Sequence, residues 1–207
     1  MTDFGQSYAS TDLDAAGKFY AGEIECVNDA AVYATELGLE GEWVLSVGAT
    51  PTAHAAVLGA GTGAEKLHGK LELHAGCYCL NDLQQLSTSL VQSPLNAALR
   101  VLATVVSVYP LRKEAMCDAG ALAVSKDLGR TPGHGKVTSH EGWSLGRISQ
   151  EHGTLTRIAE DAEEIKIGDK VSIIPQHACL ACACYPWLYV TDGGDEVVDV
   201  WVPWKGW

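Results

Sequence analysis

Basic residues are scarce in this sequence, and this scarcity narrows the range of partners. The 207 residues include 14 Lys and Arg against 26 Asp and Glu, so the formal net charge is −12 and the isoelectric point is near 4.9. A surface of this charge repels nucleic-acid phosphates and anionic lipid head groups. The composition therefore predicts that neither nucleic acid nor a membrane is a partner.

Long apolar runs are absent as well. No uninterrupted run approaches the roughly 18 to 20 apolar residues that a membrane-spanning helix needs. Residues 1–20 contain neither a basic start nor an apolar signal-peptide core, so we expect a soluble, cytoplasmic protein. Seven Cys is an odd number in a chain too large to depend on disulfides, so we expect reduced thiols, some of them as metal ligands.

The first part of the chain has an α/β pattern. Apolar residues at helical spacing predict a helix over 24–38, with Gly38 at its left-handed end. A short apolar strand over 43–47 then opens into a tight loop. A second strand at 71–75 is followed by a helix that begins near Leu83. These elements predict successive strand–helix units.

The second part of the chain has an all-β pattern, with a boundary near residues 93–98. The segment 127–145 has no clear period and is predicted to be a long loop. Gly168 with Asp169, and the segment 192–195, are predicted hairpin turns. Apolar runs of strand length recur between turn signals at 99–109, 152–158, 170–175, 187–191 and 197–204.

A first candidate site follows the strand at 43–47. Gly48, Thr50 and Thr52 offer backbone N–H groups and two hydroxyls at the C-terminal end of that strand, where α/β folds bind anionic ligands. A phosphate-binding loop is the functional interpretation. The structural alternative is that Gly and Pro only make the turn and that Thr52 caps the next helix.

A second candidate site follows the apolar strand at 170–175. Residues i and i+2 of an extended chain point to the same side, so His177 and Cys179 are predicted to bind one ion such as Zn²⁺. Two protein ligands leave positions for water or substrate, which is typical of a catalytic site. Cys182 and Cys184 could instead complete a closed Cys₃His cluster, or the thiols could line a small core.

Eight short motifs occur along the sequence in a fixed order. They are VLSVGATPT at 44–52, LELHAGCY at 71–78, NDLQQ at 81–85, CDAG at 117–120, SKD at 125–127, EHG at 151–153, GDKV at 168–171 and IIPQHAC at 173–179. This order is the one found in eukaryotic-type D-serine dehydratases, and the sequence resembles that family over roughly residues 40–207. The C-terminal sequence WKGW at 204–207 is similar to the end of those enzymes.

The resemblance implies a pyridoxal-phosphate enzyme of the alanine-racemase type that works as a homodimer and converts D-serine, a small D-amino acid, to pyruvate and ammonia. It implies α/β plus all-β architecture, with residues 1–96 as a remnant of a (β/α)₈ barrel (its last strands only) and residues 97–207 as a C-terminal β-domain. By the same resemblance Gly48, Thr50, Thr52 and Tyr78 hold the cofactor phosphate. His177 and Cys179 ligate zinc.

Related D-threonine aldolases are an alternative, but they carry an aspartate where this chain has Cys179, and thiolate favours Zn²⁺. The nine lysines include none in the context of the family's Schiff-base lysine, so we expect a fragment that is inactive alone. A truncated gene model is the preferred explanation, ahead of a separate partner chain or a degenerate protein. A non-catalytic zinc-binding interaction module is the alternative outside enzymes.

Overall fold

The chain divides into two compact units, Met1–Ala98 and Leu99–Trp207. The computed structural model describes residues 6–60, 67–91 and 97–204. The division lies close to the predicted boundary near 93–98, although residues 92–96 themselves fall outside the described ranges. The α/β pattern of the first unit and the β pattern of the second are both confirmed.

The first unit has one parallel strand pair, in which Val44 lies opposite Lys70 and Val47 opposite Leu73. This single pair does not by itself define a (β/α)₈ barrel, so the barrel remnant stays a prediction. Short 3₁₀ turns occupy Gln6–Ala9 and Cys77–Cys79. The elements in chain order are α1 (Leu13–Glu36), β1 (Val44–Val47), α2 (Thr50–Val57), β2 (Lys70–Leu73) and α3 (Leu83–Ser87).

Helix α1 begins eleven residues before the predicted start at residue 24, because a capping signal lies further upstream. The Asp12 carboxylate accepts a hydrogen bond from the Ala15 N–H at 2.8 Å, which satisfies one of the free amides of the first turn. Helix α1 ends at Glu36, and Gly38 has φ +83°, as its position predicted. Tyr20 and Ile24 pack with Val47 of β1 to form a small core.

The second unit is built on a closed barrel of six antiparallel strands in the order β3-β4-β7-β6-β5-β8. A separate two-stranded antiparallel ribbon pairs β9 with β10. The elements are β3 (Val101–Tyr109), β4 (Glu114–Cys117), α4 (Ala121–Val124), β5 (Gly135–Val137), β6 (Trp143–Ile148), β7 (Gly153–Arg157), β8 (Lys170–Pro175), α5 (Ala178–Ala183), β9 (Leu188–Thr191) and β10 (Val197–Trp201), with a 3₁₀ turn at Pro110–Arg112.

Alternating side chains of the six strands fill the barrel. On β3, for example, Val101 and Val105 are buried whereas Leu102 is 72% exposed. Because each strand pairs on both sides, the backbone hydrogen bonds around the barrel leave no open sheet edge. Strand residues of the barrel core are Val101, Ala103, Val105, Ala115, Cys117, Val137, Trp143, Leu145, Leu155, Val171 and Ile173.

Three sequence-based assignments in this unit are wrong. The predicted long loop at 127–145 contains β5 and the start of β6, and β5 was hidden because it has only three residues and begins with Gly135. The segment 165–167 is not a strand, so the turn at Gly168 leads into β8 without closing a hairpin. The four-residue strand β4 was not predicted at all.

The predicted hairpin around residues 192–195 is confirmed, since β9 and β10 pair antiparallel across it. Of the WKGW sequence, only Trp204 lies within the described residues. Among the helices of the described ranges, none is long and apolar enough to cross a membrane.

Candidate metal centre

His177 and Cys179 lie where strand β8 gives way to helix α5. His177 has extended backbone angles and forms the N-cap of α5, and Cys179 belongs to the first turn of that helix. The prediction of an extended chain through both residues is therefore wrong, since the chain turns into a helix at Ala178. The closeness of the two side chains comes from this strand-to-helix turn instead.

The turn nevertheless brings the two potential ligands together. A ring nitrogen of His177 and the Cys179 sulfur lie within 4.8 Å of each other, and both side chains are partly buried. Imidazole nitrogen and thiolate sulfur are the ligands that Zn²⁺ prefers, whereas Mg²⁺ and Mn²⁺ favour oxygen. The chemistry of this pair fits zinc.

Asp127 lies beside His177, although no local sequence pattern predicted a role for this aspartate. Its Oδ2 lies 2.8 Å from His177 Nδ1. A carboxylate at this distance accepts the Nδ1 proton, which puts the imidazole lone pair on Nε2, the nitrogen that then faces a metal. The sequence signal for Asp127 was its place in the SKD motif at 125–127. That motif does not link Asp127 to His177, which lies 50 positions further along the chain.

The loop that carries Asp127 is tied to the barrel by a buried amide. Gln176, the last residue before His177, is fully buried, and its Nε2 donates to the carbonyls of Thr131 and Gly133 at 2.8 and 2.6 Å. On the other side of Asp127, Ser125 has φ +73° and its hydroxyl accepts a hydrogen bond from the Asp127 N–H at 3.2 Å. The carboxylate is therefore held from both directions along the chain.

Cys182 and Cys184 follow on helix α5 and its end. Cys184 is exposed, and its thiol donates to the Leu180 carbonyl at 3.4 Å. Within the described residues, neither thiol belongs to a group of potential metal ligands, and neither belongs to the barrel core. The next residue, Tyr185, donates its hydroxyl to the Ala123 carbonyl of α4 at 3.1 Å, and burial raises its pKa to about 12.

The predicted phosphate loop lies in the first unit, between β1 and α2. Gly48 has φ +120°, and a Cβ there would stand 2.7 Å from the His74 carbonyl, so only glycine fits. The Thr50 hydroxyl accepts the Cys77 N–H at 3.0 Å, and the Thr52 hydroxyl accepts the Ala49 N–H at 2.9 Å. Both hydroxyls are used by the fold, which leaves the backbone at the start of α2 as the part suited to an anion.

Two further residues bear on this loop. Tyr78, the fourth predicted phosphate contact, is 59% exposed. Glu23 of α1 is almost fully buried, and burial raises the pKa of its carboxyl above the usual value, against an opposing hydrogen bond with Thr52. Because the raised pKa favours the neutral carboxyl, Glu23 brings less negative charge to the loop than an exposed glutamate would.

Comparison with known proteins identifies the family. A family profile described as "Putative serine dehydratase domain" matches residues 98–191. The chain is 41% identical over 209 residues to a D-serine dehydratase of Schizosaccharomyces pombe, and 32% identical over 223 residues to one of Saccharomyces cerevisiae. Both alignments cover 98% of this chain, which extends the resemblance beyond residues 40–207. The chain belongs to the D-serine dehydratase family.

This member of the D-serine dehydratase family spans about half the length of its curated relatives, 50% and 52% of the two yeast enzymes. The crystal structure of D-threo-3-hydroxyaspartate dehydratase from Delftia sp. HT23 superposes with a TM-score of 0.74 at 30% identity, covering 99% of this chain and 55% of that one. A D-threonine aldolase from Filomicrobium marinum has a TM-score of 0.70 at 20% identity, with 96% and 50% coverage. That likeness shows a shared fold only.

Solved structures of two variants of D-threo-3-hydroxyaspartate dehydratase are similar to this chain as well. A cysteine-to-alanine variant, described as metal-free, has a TM-score of 0.78 to this chain at 28% identity, covering 99% of this chain and 55% of that one. A histidine-to-alanine variant has a TM-score of 0.77 at 30% identity, covering 98% and 53%. The two substituted residues of that enzyme are two positions apart.

Proposed function

We propose that this chain supplies the metal-binding β-domain of a pyridoxal-phosphate- and zinc-dependent lyase that converts D-serine to pyruvate and ammonia. The observation that carries the proposal is the nitrogen–sulfur pair of His177 and Cys179, within 4.8 Å of each other at the end of β8. Family membership gives this pair its context, because the chain is 41% and 32% identical to two D-serine dehydratases.

In such a reaction, residues of this chain would bind the metal ion and orient one of its ligands. When bound, the zinc ion supplies a Lewis acid that makes the substrate's β-hydroxyl a better leaving group, and pyridoxal phosphate supplies an electron sink for the α-carbanion. His177 and Cys179 hold the metal with two ligands, which leaves coordination positions for the substrate hydroxyl and water. Asp127 fixes the histidine ring through its 2.8 Å hydrogen bond.

The comparison with the D-threo-3-hydroxyaspartate dehydratase variants supports the same pair. His177 and Cys179 are two positions apart, like the histidine and cysteine that were replaced in those variants, and the structure of the cysteine variant is described as metal-free. D-Serine and D-threo-3-hydroxyaspartate share an α-hydrogen and a β-hydroxyl on a D-amino acid. The proposed substrate class is therefore a small β-hydroxy D-amino acid, with D-serine as the first candidate.

The cofactor phosphate is proposed to bind at the loop of Gly48, Thr50 and Thr52. Backbone N–H groups at the start of α2 and the positive end of the helix dipole suit a phosphate, and Gly48 lets the backbone approach closely. The two hydroxyls stabilise the loop itself, and Tyr78 is exposed enough to reach a ligand. A homodimer of the full-length enzyme, with a Schiff-base lysine outside this chain's nine, is part of the same proposal.

D-threonine aldolase activity is a weaker candidate. The structural likeness to the Filomicrobium enzyme is at 20% identity and concerns the fold alone. A thiolate at Cys179 favours Zn²⁺ over the harder ions that suit carboxylate ligands. The metal chemistry therefore favours dehydration of the β-hydroxy substrate.

A domain exchange tests the proposed function. The matching half of the S. pombe D-serine dehydratase is replaced by this chain, and pyruvate release from D-serine is measured with both cofactors present. We expect D-serine-dependent pyruvate release that falls at least about 100-fold in the His177→Ala and Cys179→Ala variants. The exposed thiol at Cys184 provides the matched control, and Cys184→Ser should keep the activity.

Two results would overturn this assignment. Faster release of glycine from D-threonine than of pyruvate from D-serine would favour the aldolase. A folded exchange protein that binds both cofactors but leaves D-serine intact would favour a non-catalytic zinc-binding module.

A further inference from the structure

A carboxylate contacts one of the two proposed zinc ligands: Asp127 Oδ2 lies 2.8 Å from the Nδ1 atom of His177. We infer that Asp127 is a positioning residue for His177: it fixes the imidazole so that Nε2 binds the ion, and it raises the basicity of that nitrogen. The inference rests on the proposed function, because it concerns the same metal site. It adds a residue from a different part of the chain, the loop after α4.

The hydrogen-bond geometry gives the contact its direction. A carboxylate only accepts, so the 2.8 Å contact from Asp127 Oδ2 requires a proton on His177 Nδ1. In the neutral ring the lone pair is then on Nε2, which selects one tautomer and one ring orientation. A histidine without such a partner divides its population between two tautomers and more than one ring orientation, and metal binding must first select among them.

The imidazole of this contact is partly shielded from solvent. The side chain of His177 is 21% exposed, whereas that of Asp127 is 39% exposed, so water screens the carboxylate more than the ring. The negative charge of Asp127 also acts on the bound ion through the ring, since a carboxylate that accepts the Nδ1 proton makes the imidazole a better electron donor.

The loop around Asp127 is built to keep the carboxylate in place. Ser125 adopts a backbone conformation with φ +73° and ψ 176°, which non-glycine residues rarely take, and its hydroxyl accepts the Asp127 N–H. Gln176, the residue directly before His177, donates to the carbonyls of Thr131 and Gly133. One end of the loop is thus bonded to the same strand end that carries the histidine.

Two substitutions of Asp127 separate its effect on the orientation of the His177 ring from the effect of its negative charge. Asp127→Asn keeps an oxygen that accepts the Nδ1 proton but removes the negative charge. Asp127→Ala removes both. Asp161→Ala is the matched control, because it removes the same charge from an exposed aspartate in the loop after β7, outside the SKD segment.

Zinc affinity of the purified chain is measured by competition with a chromophoric chelator, for the native sequence and each variant. We expect Asp127→Ala to weaken zinc binding by about 10- to 100-fold, and Asp127→Asn by a smaller factor. Asp161→Ala should bind as the native chain does. With Co²⁺ as the probe, Asp127→Ala should shift the visible d–d bands, a signature that a purely structural role would not produce.

The outcomes distinguish this inference from the proposed function. If His177→Ala and Cys179→Ala lose zinc but Asp127→Ala retains native affinity and an unchanged Co²⁺ spectrum, the metal site stands and the positioning role is wrong. If the native chain binds no zinc, both are wrong. If Asp127→Ala fails to fold, Asp127→Asn decides: unchanged affinity and spectrum contradict the inference, and reduced affinity with a shifted spectrum supports it.

Discussion

The two units of this chain differ in how many strand edges are paired and in how fully their apolar side chains are buried. The second unit closes six strands into a barrel, so that every barrel strand has two neighbours. In the described residues of the first unit, β1 and β2 form a parallel pair, and each strand has only one neighbour. Val44 of β1 is 59% exposed and Leu73 of β2 is 40% exposed, whereas Leu145 and Leu155 of the barrel are fully buried.

This difference shows where a precise site can be built. The metal pair and Asp127 lie in the unit with the closed barrel, held by strand β8, helix α5 and a loop bonded through Gln176. The proposed phosphate loop lies in the unit with a two-stranded sheet, where the Thr50 hydroxyl accepts from Cys77 and the Thr52 hydroxyl bonds the backbone of Ala49. We therefore expect the metal site to be the more rigid of the two in this chain.

The largest expected effect is a cavity in the barrel. Leu155→Ala, at a fully buried position, should cost about 3 to 5 kcal/mol of unfolding free energy, because a closed barrel relaxes little around a void. Ile24→Ala in the small core of the first unit should cost less, about 2 kcal/mol. Urea unfolding gives the total effect, and peptide-resolved hydrogen exchange assigns it to each unit. If Ile24→Ala lowered the unfolding free energy as much as Leu155→Ala or more, the expected difference between the two units would be contradicted.

The next effect concerns the amide that joins the Asp127 loop to β8. Gln176→Leu keeps the approximate volume but leaves the Thr131 and Gly133 carbonyls without their donor, which should cost about 2 to 3 kcal/mol. Chelator competition should also detect weaker zinc binding. A destabilised variant with native zinc affinity would mean that the loop does not depend on this amide for its position.

A smaller effect is expected from a methyl group added inside the barrel. At Gly153 a Cβ would lie 2.4 Å from the Ala119 carbonyl oxygen, so Gly153→Ala should destabilise the barrel by about 1 to 3 kcal/mol. Gly22 of α1 has open space around it, and Gly22→Ala should stabilise the chain by about 0.5 to 1 kcal/mol. Thermal unfolding of both variants checks the opposite signs.

The smallest effect is a pH dependence in the first unit. Burial raises the pKa of Glu23 above the ordinary glutamate value of 4.5, so the folded state favours the protonated carboxyl. Its contribution to stability is fully present below pH 4.5 and is lost as the pH rises through the raised pKa. Glu23→Gln should therefore be more stable than the native chain at pH 7, with a difference that shrinks toward pH 4.5. Thermal unfolding across this range measures it, and a constant difference would contradict the assignment.

The sequence predicted the long, regular elements well and the short ones poorly. The apolar runs at β3 and β7 were recognisable because buried residues recur at every second position near the start of each strand, and β8 was recognisable because its apolar run is continuous. Strand β5 was not, because three residues that begin with glycine carry no periodic signal. Its pairing with β8 depends on contacts with residues far along the chain.

The candidate metal pair was predicted from its residue types, although for a geometric reason that does not hold. His177 and Cys179 were expected on an extended strand, and they lie at a helix start. Asp127 could not be found by spacing, because it meets His177 across 50 positions of sequence through the closure of the barrel. The hydrogen bond of the Thr50 hydroxyl with Cys77 is tertiary, and no local pattern encodes it. The Thr52 hydroxyl instead bonds the N-cap residue Ala49 of α2, which confirms the structural alternative that Thr52 caps this helix.

The most direct test of the metal centre is X-ray absorption spectroscopy of the zinc-loaded chain. We predict a first shell that contains a sulfur at about 2.3 Å and an imidazole nitrogen at about 2.0 to 2.1 Å. Cys179→Ala should remove that sulfur contribution, and His177→Ala should remove the imidazole scattering. A shell that is unchanged in both variants would contradict the assignment of His177 and Cys179 as the zinc ligands.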